Sequence, residues 1–216
     1  MSNTEEKDYI CNTLTEASKV SIFNEIFKDI QGYEISSIER QKVTENNKSY
    51  TYGEVTYQGL KEILDIVNPN EGAQFMDLGS GTGKAVISSA LISPFSYVHG
   101  IELFKGLYTT SLQIKDEFIN KLNTFNNGFK LPIYSIINDS INNCDLSDID
   151  VVLANSTCFD SDLINTISQK AEQLKIGSKF ITFTKSLNSN SFNVIHKEYH
   201  KMGWGSPTVY IHEKIT

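Results

Sequence analysis

Apolar residues along this 216-residue chain follow two different periods, and the switch between them divides it. Between residues 13 and 30 the apolar positions are Leu14, Val20, Ile22, Phe23, Ile26, Phe27 and Ile30. The last five follow the i, i+1, i+4, i+5, i+8 spacing of one helix face. Gly32 reads as a helix stop, and Ser36–Ser49 as a polar stretch. Residues 55–67 predict a second helix with Leu60, Ile63, Leu64 and Val67 on one side, ended by Asn68-Pro69.

From Gln74 onward the runs shorten. Gln74–Leu78, Tyr97–Leu103, Ile133–Ile137, Val151–Ala154 and Phe180–Phe183 predict strands. Helical patterns lie between them, at Ala85–Ile92, Lys105–Asn126 and Ser161–Leu174. Strands alternating with helices predict an α/β fold, a parallel sheet with helices on both faces. The end differs. Phe192–Met202 and Thr208–Ile215 flank Gly203-Trp204-Gly205-Ser206-Pro207 with no helix between, which predicts an antiparallel hairpin. No repeat of 20–50 residues is present. The Asn pairs 46-47, 126-127 and 142-143 fall where loops are expected.

Composition narrows the function. At 39% hydrophobic and 21% charged residues, the chain is neither collagen-like, coiled coil nor wholly disordered. No apolar run is long enough to span a bilayer, and the start MSNTEEKDYI lacks the basic and apolar regions of a signal peptide. Cys11, Cys144 and Cys158 are odd in number, widely spaced and free of any CxxC, which argues against disulfides and a Cys-based zinc site. An intracellular, reducing compartment is expected. The net charge is −7 and Arg40 is the only arginine, which argues against direct nucleic-acid binding by this chain. Oligomeric state is not readable.

The strongest chemical signal is Asp77-Leu78-Gly79-Ser80-Gly81-Thr82-Gly83, between a strand and a helix. A P-loop would need Gly at 78 and Ser or Thr at 85; the chain has Leu78 and Ala85. A dinucleotide fingerprint would need its third glycine where Lys84 stands. The remaining reading uses the acid ahead of the glycines. S-adenosyl-L-methionine carries an ammonium and a sulfonium, and Asp77 suits that cationic end. Glu102 ends the next strand, 19 residues after Gly83, and can accept both ribose hydroxyls. Asp139, after Asn138, ends the third strand, where a carboxylate can accept from the adenine amino group. The three acids mark one edge of the sheet, where open α/β folds bind ligands.

With these residues in view, the chain resembles the class I S-adenosylmethionine-dependent methyltransferases. Residues 50–216 more narrowly resemble the catalytic domain of the non-SET histone-lysine methyltransferases, the disruptor-of-telomeric-silencing or Dot1-like family. Four segments carry this. Tyr52-Gly53-Glu54-Val55 resembles the YGE loop that closes over the cofactor, and Asp77–Gly83 resembles DLGSGxG. Asn155, in Asn155-Ser156-Thr157-Cys158-Phe159, stands where the family has the Asn ending strand four, with Phe159 matching a later aromatic. Trp204–Tyr210 resembles the terminal hairpin, which puts Tyr210 at the substrate-channel tyrosine. Departures are Ser140 for an aromatic, Lys84 for a glutamine, the NSTCF segment itself, and the lack of a Lys/Arg-rich run.

The resemblance implies a Rossmann-like, seven-stranded sheet, parallel except for the terminal hairpin, with residues 1–49 as an N-terminal helical lobe over the cleft. It implies a protein-lysine N-methyltransferase that turns S-adenosyl-L-methionine into S-adenosyl-L-homocysteine, with lysine of histone H3 as acceptor. Another protein, a small molecule or RNA is the alternative acceptor, and an inactive cofactor-binding partner subunit the alternative role. The expected cofactor residues are Tyr52, Glu54, Asp77, Gly79, Ser80, Gly81, Gly83, Lys84, Glu102, Asp139 and Asn155. Asn155 is expected to accept a hydrogen bond from the acceptor amine, with Phe159 and Tyr210 walling an aromatic channel. The period of two groups Tyr210 with Thr208 and His212 on one face, without saying which. Trp204 is expected as a packing anchor or part of the substrate mouth. Cys158 lacks a partner His nearby in sequence and reads as a small buried residue. His196 and His200 have helical zinc spacing but fall on a strand, about 13 Å apart at ~3.3 Å per residue, so no metal is expected.

Overall fold

The computed structural model describes residues 14–43, 47–125 and 131–216. The acidic Glu5-Glu6 start, Cys11, Asn46 and the Asn126-Asn127 pair lie outside these residues. Six α-helices are described: α1 (Glu16–Phe27), α2 (Gly32–Gln41), α3 (Tyr57–Val67), α4 (Lys84–Ile92), α5 (Lys105–Phe125) and α6 (Ser161–Ala171). The seven strands are β1 (Gln74–Leu78), β2 (Tyr97–Glu102), β3 (Ile133–Asn138), β4 (Val151–Ala154), β5 (Lys179–Phe183), β6 (Phe192–Tyr199) and β7 (Thr208–Lys214).

All seven strands form one sheet in the order β3-β2-β1-β4-β5-β7-β6. The first five are parallel, while β7 runs antiparallel to both β5 and β6, as the sequence predicts. All four residues of β4 and four of the five in β1 and β5 are buried. Such strands have no wet face and read as unbroken apolar runs. Alternate residues feed two cores. Phe75, Leu153, Ile181, Phe183, Val209 and Ile211 pack with α1, α3, α4 and α5. Met76, Leu78, Val152, Ala154 and Phe180 face the other way, onto α6. The strand order reverses between β1 and β4. The crevice at the carboxyl ends of those strands is where open α/β sheets take ligands.

Local chemistry explains the helix ends. Thr56 caps α3, its hydroxyl accepting from Gly59 N at 3.0 Å. Asn68 closes α3 in the left-handed region at φ +46°, a conformation that Asn tolerates.

Two expectations need correction. Gly32 does not stop a helix; it is the first residue of α2, which occupies part of the stretch read as polar. The packed face of α2 is built from small residues: Gly32 and Ser36 are buried, while Tyr33 and Ile38 are exposed. Hydrophobic periodicity is blind to a face of that kind. A Cβ on Gly32 would lie 2.7 Å from the Tyr52 hydroxyl, so glycine permits the close approach. The link from β3 to β4 also holds no α-helix, only a 3-10 turn at Ile141–Asn143. Cys144, Leu146 and Ile149 fill the core there instead. No helix among the described residues is long and apolar enough to cross a membrane.

Candidate functional site

At the switch between β1 and β4 lies a cavity of about 380 Å³ beside a smaller one of about 30 Å³. The larger is in the size range of small-molecule sites. Tyr52, Gly53, Gly79 and Asn155 line both.

The glycine turn forms the floor. Gly79 N and Ser80 N both donate to Ile101 O, at 2.9 and 3.0 Å, which ties the turn to the end of β2. Gly79, Gly81 and Gly83 all have positive φ, between +56° and +88°. A Cβ on Gly79 would meet nothing within 4 Å, because the space before it is open. One on Gly81 would come 2.6 Å from the Tyr52 ring, so that ring rests on bare backbone. Gly83 lines neither cavity; it opens α4 and packs under the Tyr134 hydroxyl.

Glu102 is buried at the end of β2. Its Oε2 accepts from Gly81 N and its Oε1 from Phe104 N, both at 2.8 Å. Burial raises its pKa, and the two backbone donors oppose that rise. The carboxylate thus props the turn while lining the larger cavity. Asp77, also buried, lines the smaller one. Burial, with the Glu102 charge second, pushes its pKa up to about 8. The Ser80 hydroxyl, at the same wall, is buried without a hydrogen-bond partner.

The loop ahead of α3 closes the roof. The Tyr52 hydroxyl donates to Glu54 Oε1 at 2.8 Å and lies 3.1 Å from Thr82 Oγ1. Burial, then Glu54, raises the Tyr52 pKa, so the phenol stays protonated. Lys84 completes the group: its ammonium ion-pairs with Glu54 Oε2 and stands 5.4 Å from the Phe27 ring centre.

Asn155 follows β4 and reaches the roof, its Nδ2 donating to Gly53 O at 2.9 Å. Gly53 is wedged, since a Cβ there would be 3.3 Å from both Asn155 Nδ2 and Trp204 Cε3. Trp204 meets Phe183 edge-on at 6.1 Å, against the first core. Phe159 is brought to the larger cavity, close to Asp160 and Leu163.

Besides Gly83, two expected residues are not brought there. Tyr210 lines neither cavity. Val209 and Ile211 belong to the core that holds Trp204, so alternation turns Tyr210 to the opposite face, stacked on His212 at 6.1 Å with Lys197 over its ring. Asp139 is exposed and bound into its own turn, accepting from Ser140 N at 2.7 Å and Asn143 Nδ2 at 2.8 Å. The cavity wall at that strand end is Ser140, Ile141 and Asn142.

Other wall residues escaped the sequence reading, among them Ser49, Tyr50, Phe104 and Leu107. Ser49 ends the stretch read as polar and Tyr50 follows it; only their place just ahead of Tyr52 was a signal. Tyr50 meets Phe104 edge-on at 5.3 Å, which joins the roof loop to the end of β2. The histidine spacing also needs correction. His196 and His200 are not about 13 Å apart at their rings; their Nε2 atoms are 3.0 Å apart. A bulge between Val194 and His196 and the end of β6 at Tyr199 bring the rings together. Among the described residues no group of three or more His, Cys, Asp or Glu is placed to hold a metal ion.

Chemically, the cleft offers a buried diol acceptor at Glu102, a buried acid at Asp77, a cation–anion pair at Lys84 and Glu54, and exposed glycine backbone between them. That set suits a ligand with a sugar at one end and a zwitterionic amino acid at the other.

The model of the histone methylation protein DOT1 family matches residues 35–206. The H3 lysine-79 specific histone-lysine N-methyltransferase of Candida glabrata is 28% identical over 153 residues, covering 68% of this chain and 23% of that protein. The enzyme of the same description from Caenorhabditis elegans is 28% identical over 191 residues, covering 84% of this chain and 20% of its own length. The chain therefore spans about a quarter or less of these two relatives. Among solved structures, an RNA methyltransferase from Salinibacter ruber in complex with S-adenosyl-L-homocysteine superposes with a TM-score of 0.58 at 17% identity, over 75% of this chain and 94% of that one. Magnesium protoporphyrin IX methyltransferase from Synechocystis with bound SAM gives 0.54 at 12% identity, over 94% of this chain and 100% of that one. Both share the Rossmann-like methyltransferase fold.

Proposed function

The chain belongs to the family of the histone methylation protein DOT1, and from that premise we propose that it is an S-adenosyl-L-methionine-dependent protein-lysine N-methyltransferase. The observation that carries the reading is the meeting of the roof loop, the glycine turn and Asn155 around one cleft. The substrate for which those relatives are named, lysine 79 of histone H3, is the first acceptor to test.

The residues fit the cofactor. Glu102 takes the ribose hydroxyls beside the Gly79–Gly81 backbone, and Asp77 with Glu54 takes the methionine ammonium. Lys84 is placed for the methionine carboxylate. Ser140–Asn142 border the adenine in place of Asp139. When bound, S-adenosylmethionine supplies a methyl group on a cationic sulfonium and leaves as S-adenosylhomocysteine. The chain's own task is to deliver a neutral amine and exclude water. A lysine has a reference pKa of ~10.4, and apolar walls lower it by disfavouring the ammonium. The Gly53 carbonyl and Trp204 lie beside Asn155 on the proposed acceptor side, with the buried Phe183 behind Trp204. We assign the chemistry to residues 50–216 and the covering of the cleft to the helical segment before them.

Gly53→Ala tests the acceptor side. The added methyl must displace Asn155 or Trp204 by a few tenths of an ångström, so turnover is expected to fall about tenfold with cofactor affinity little changed. Steady-state kinetics together with calorimetric titration of the cofactor check this split.

The reading itself is tested with S-adenosylmethionine labelled with tritium in the methyl group. Nucleosomes, free histones and a cell lysate are offered, and protein, RNA and small molecules are separated. Lysine label in protein, reduced about 10²-fold by Asn155→Ala, is the expected result. Label confined to RNA or small molecules overturns the lysine assignment.

A further inference from the structure

We propose that Thr157 and Thr184 are positioning residues that set the orientation of the Asn155 amide, an inference resting on the lysine-methyltransferase reading. The starting observation is backbone strain. Among the described residues only Asn68 and Thr184 are non-glycines at positive φ. Asn68 closes a helix, where that geometry is common. Thr184 is β-branched, sits just after β5 and has φ +65°, a conformation in which its Cβ is crowded by its own backbone. Glycine would sit there without strain. The strained turn is held by Thr184 N donating to Thr208 O and Lys185 N donating to Phe183 O, both at 2.7 Å.

Strain of this kind gathers where neighbouring structure enforces it for a purpose. Here the turn faces the segment carrying Asn155 and Phe159, and the two are cross-linked residue by residue. Ser156 Oγ donates to Phe183 O at 2.8 Å and accepts from Phe183 N at 3.1 Å. Lys185 Nζ donates to Phe159 O. Between these two clamps, Thr184 Oγ1 donates to Thr157 Oγ1 at 3.3 Å, and Thr157 Oγ1 donates to Asn155 Oδ1 at 3.4 Å. Asn155 Nδ2 donates in turn to Gly53 O. The hydroxyl chain therefore ends on the amide oxygen, and the roof carbonyl takes the amide NH2. Only one of the two amide orientations satisfies both ends. Ser156 and Lys185 already fix the backbone of the segment, so the two threonine hydroxyls are left with the side chain of Asn155 as their object. Thr184 is exposed and Thr157 half-buried, so neither is needed to fill the core.

The test reads the amide and the chemistry separately. The Asn155 side-chain NH2 signal in a ¹⁵N-labelled protein is assigned by its loss in Asn155→Ala. Thr157→Val keeps shape and removes the hydroxyl; it is expected to shift that signal and to lower kcat about tenfold with KM for the cofactor unchanged. Thr157→Ser is expected to restore both. Thr184→Gly relieves the strain, so it is expected to raise the melting temperature and still lower kcat, which a merely structural residue would not do. An unmoved signal in Thr157→Val overturns the proposal. So does a wild-type kcat in both Thr157→Val and Thr184→Gly. A wild-type protein that labels no protein substrate instead overturns the reading beneath it, and the NMR signal then decides the positioning alone.

Discussion

Glu102→Gln is expected to weaken S-adenosylmethionine binding by about 10²-fold and to lower the melting temperature of the free protein. Each carboxylate oxygen takes one backbone N–H, from Gly81 and from Phe104. A glutamine of the same shape keeps one acceptor and points its NH2 at a second donor. One buried N–H is left unsatisfied, at a cost of about 1–3 kcal/mol, and two donors face one another. The same replacement removes half of the proposed grip on the ribose, and hydrogen bonds to a charged group are worth about 1.5–3 kcal/mol. The two losses separate by experiment. Calorimetric titration reads the affinity, and thermal unfolding without cofactor reads the prop under the turn. Unchanged affinity with a lowered melting temperature would make Glu102 a structural residue alone.

Cofactor affinity is expected to rise with pH through Asp77. Its pKa stands at about 8 in the free protein, raised first by burial and then by the Glu102 charge. A cationic ammonium favours the ionised form and lowers that pKa, so binding releases a proton. Below about pH 8 the dissociation constant should climb toward tenfold per pH unit, and above it should level. The sign for stability is opposite. The folded pKa lies above the unfolded value, so the contribution of Asp77 is complete below pH ~4 and is lost as pH rises through about 8. The cofactor should then raise the melting temperature more at pH 8.5 than at pH 6. Asp77→Asn removes the proton release, seen as loss of the buffer dependence of the calorimetric enthalpy, and weakens binding most at high pH. An affinity flat between pH 6 and 8.5 in the wild type would refute the linkage.

The centre of the sheet was readable because β1, β4 and β5 are buried on both faces. Val151–Ala154 has no polar residue to blur its limits, and β4 has those limits. The glycine turn was equally plain, since positive φ at three alternate positions leaves its mark as three glycines. What stayed hidden depends on packing rather than pattern. α2 buries Gly32 and Ser36, which no hydrophobic period records. The face of Tyr210 depended on the register of β7 against β5, where Val209 opposes Phe183 and Tyr210 opposes Thr182. One residue of slip would have reversed it. Asp139 had the right place in the order of strand ends, yet Ser140 N and Asn143 were closer at hand and drew its carboxylate into the turn.

The small-faced α2 has a consequence for anyone cutting the gene. At one end Gly32 lies under Tyr52 and Glu54; at the other, Glu39 approaches Gly106 at the start of α5, behind the Phe104 side of the cleft. Ahead of it, Ile22, Phe23, Ile26 and Phe27 of α1 are part of the same core as Phe75 and Leu153. An expression fragment opening at Tyr50 would keep every motif that suggests methyl transfer. It would also strip the apolar face of α1 from α4 and α5 and remove α2 from beside Tyr52 and Glu54. The border suggested by motifs and the border at which the chain can be divided and still fold are therefore different places.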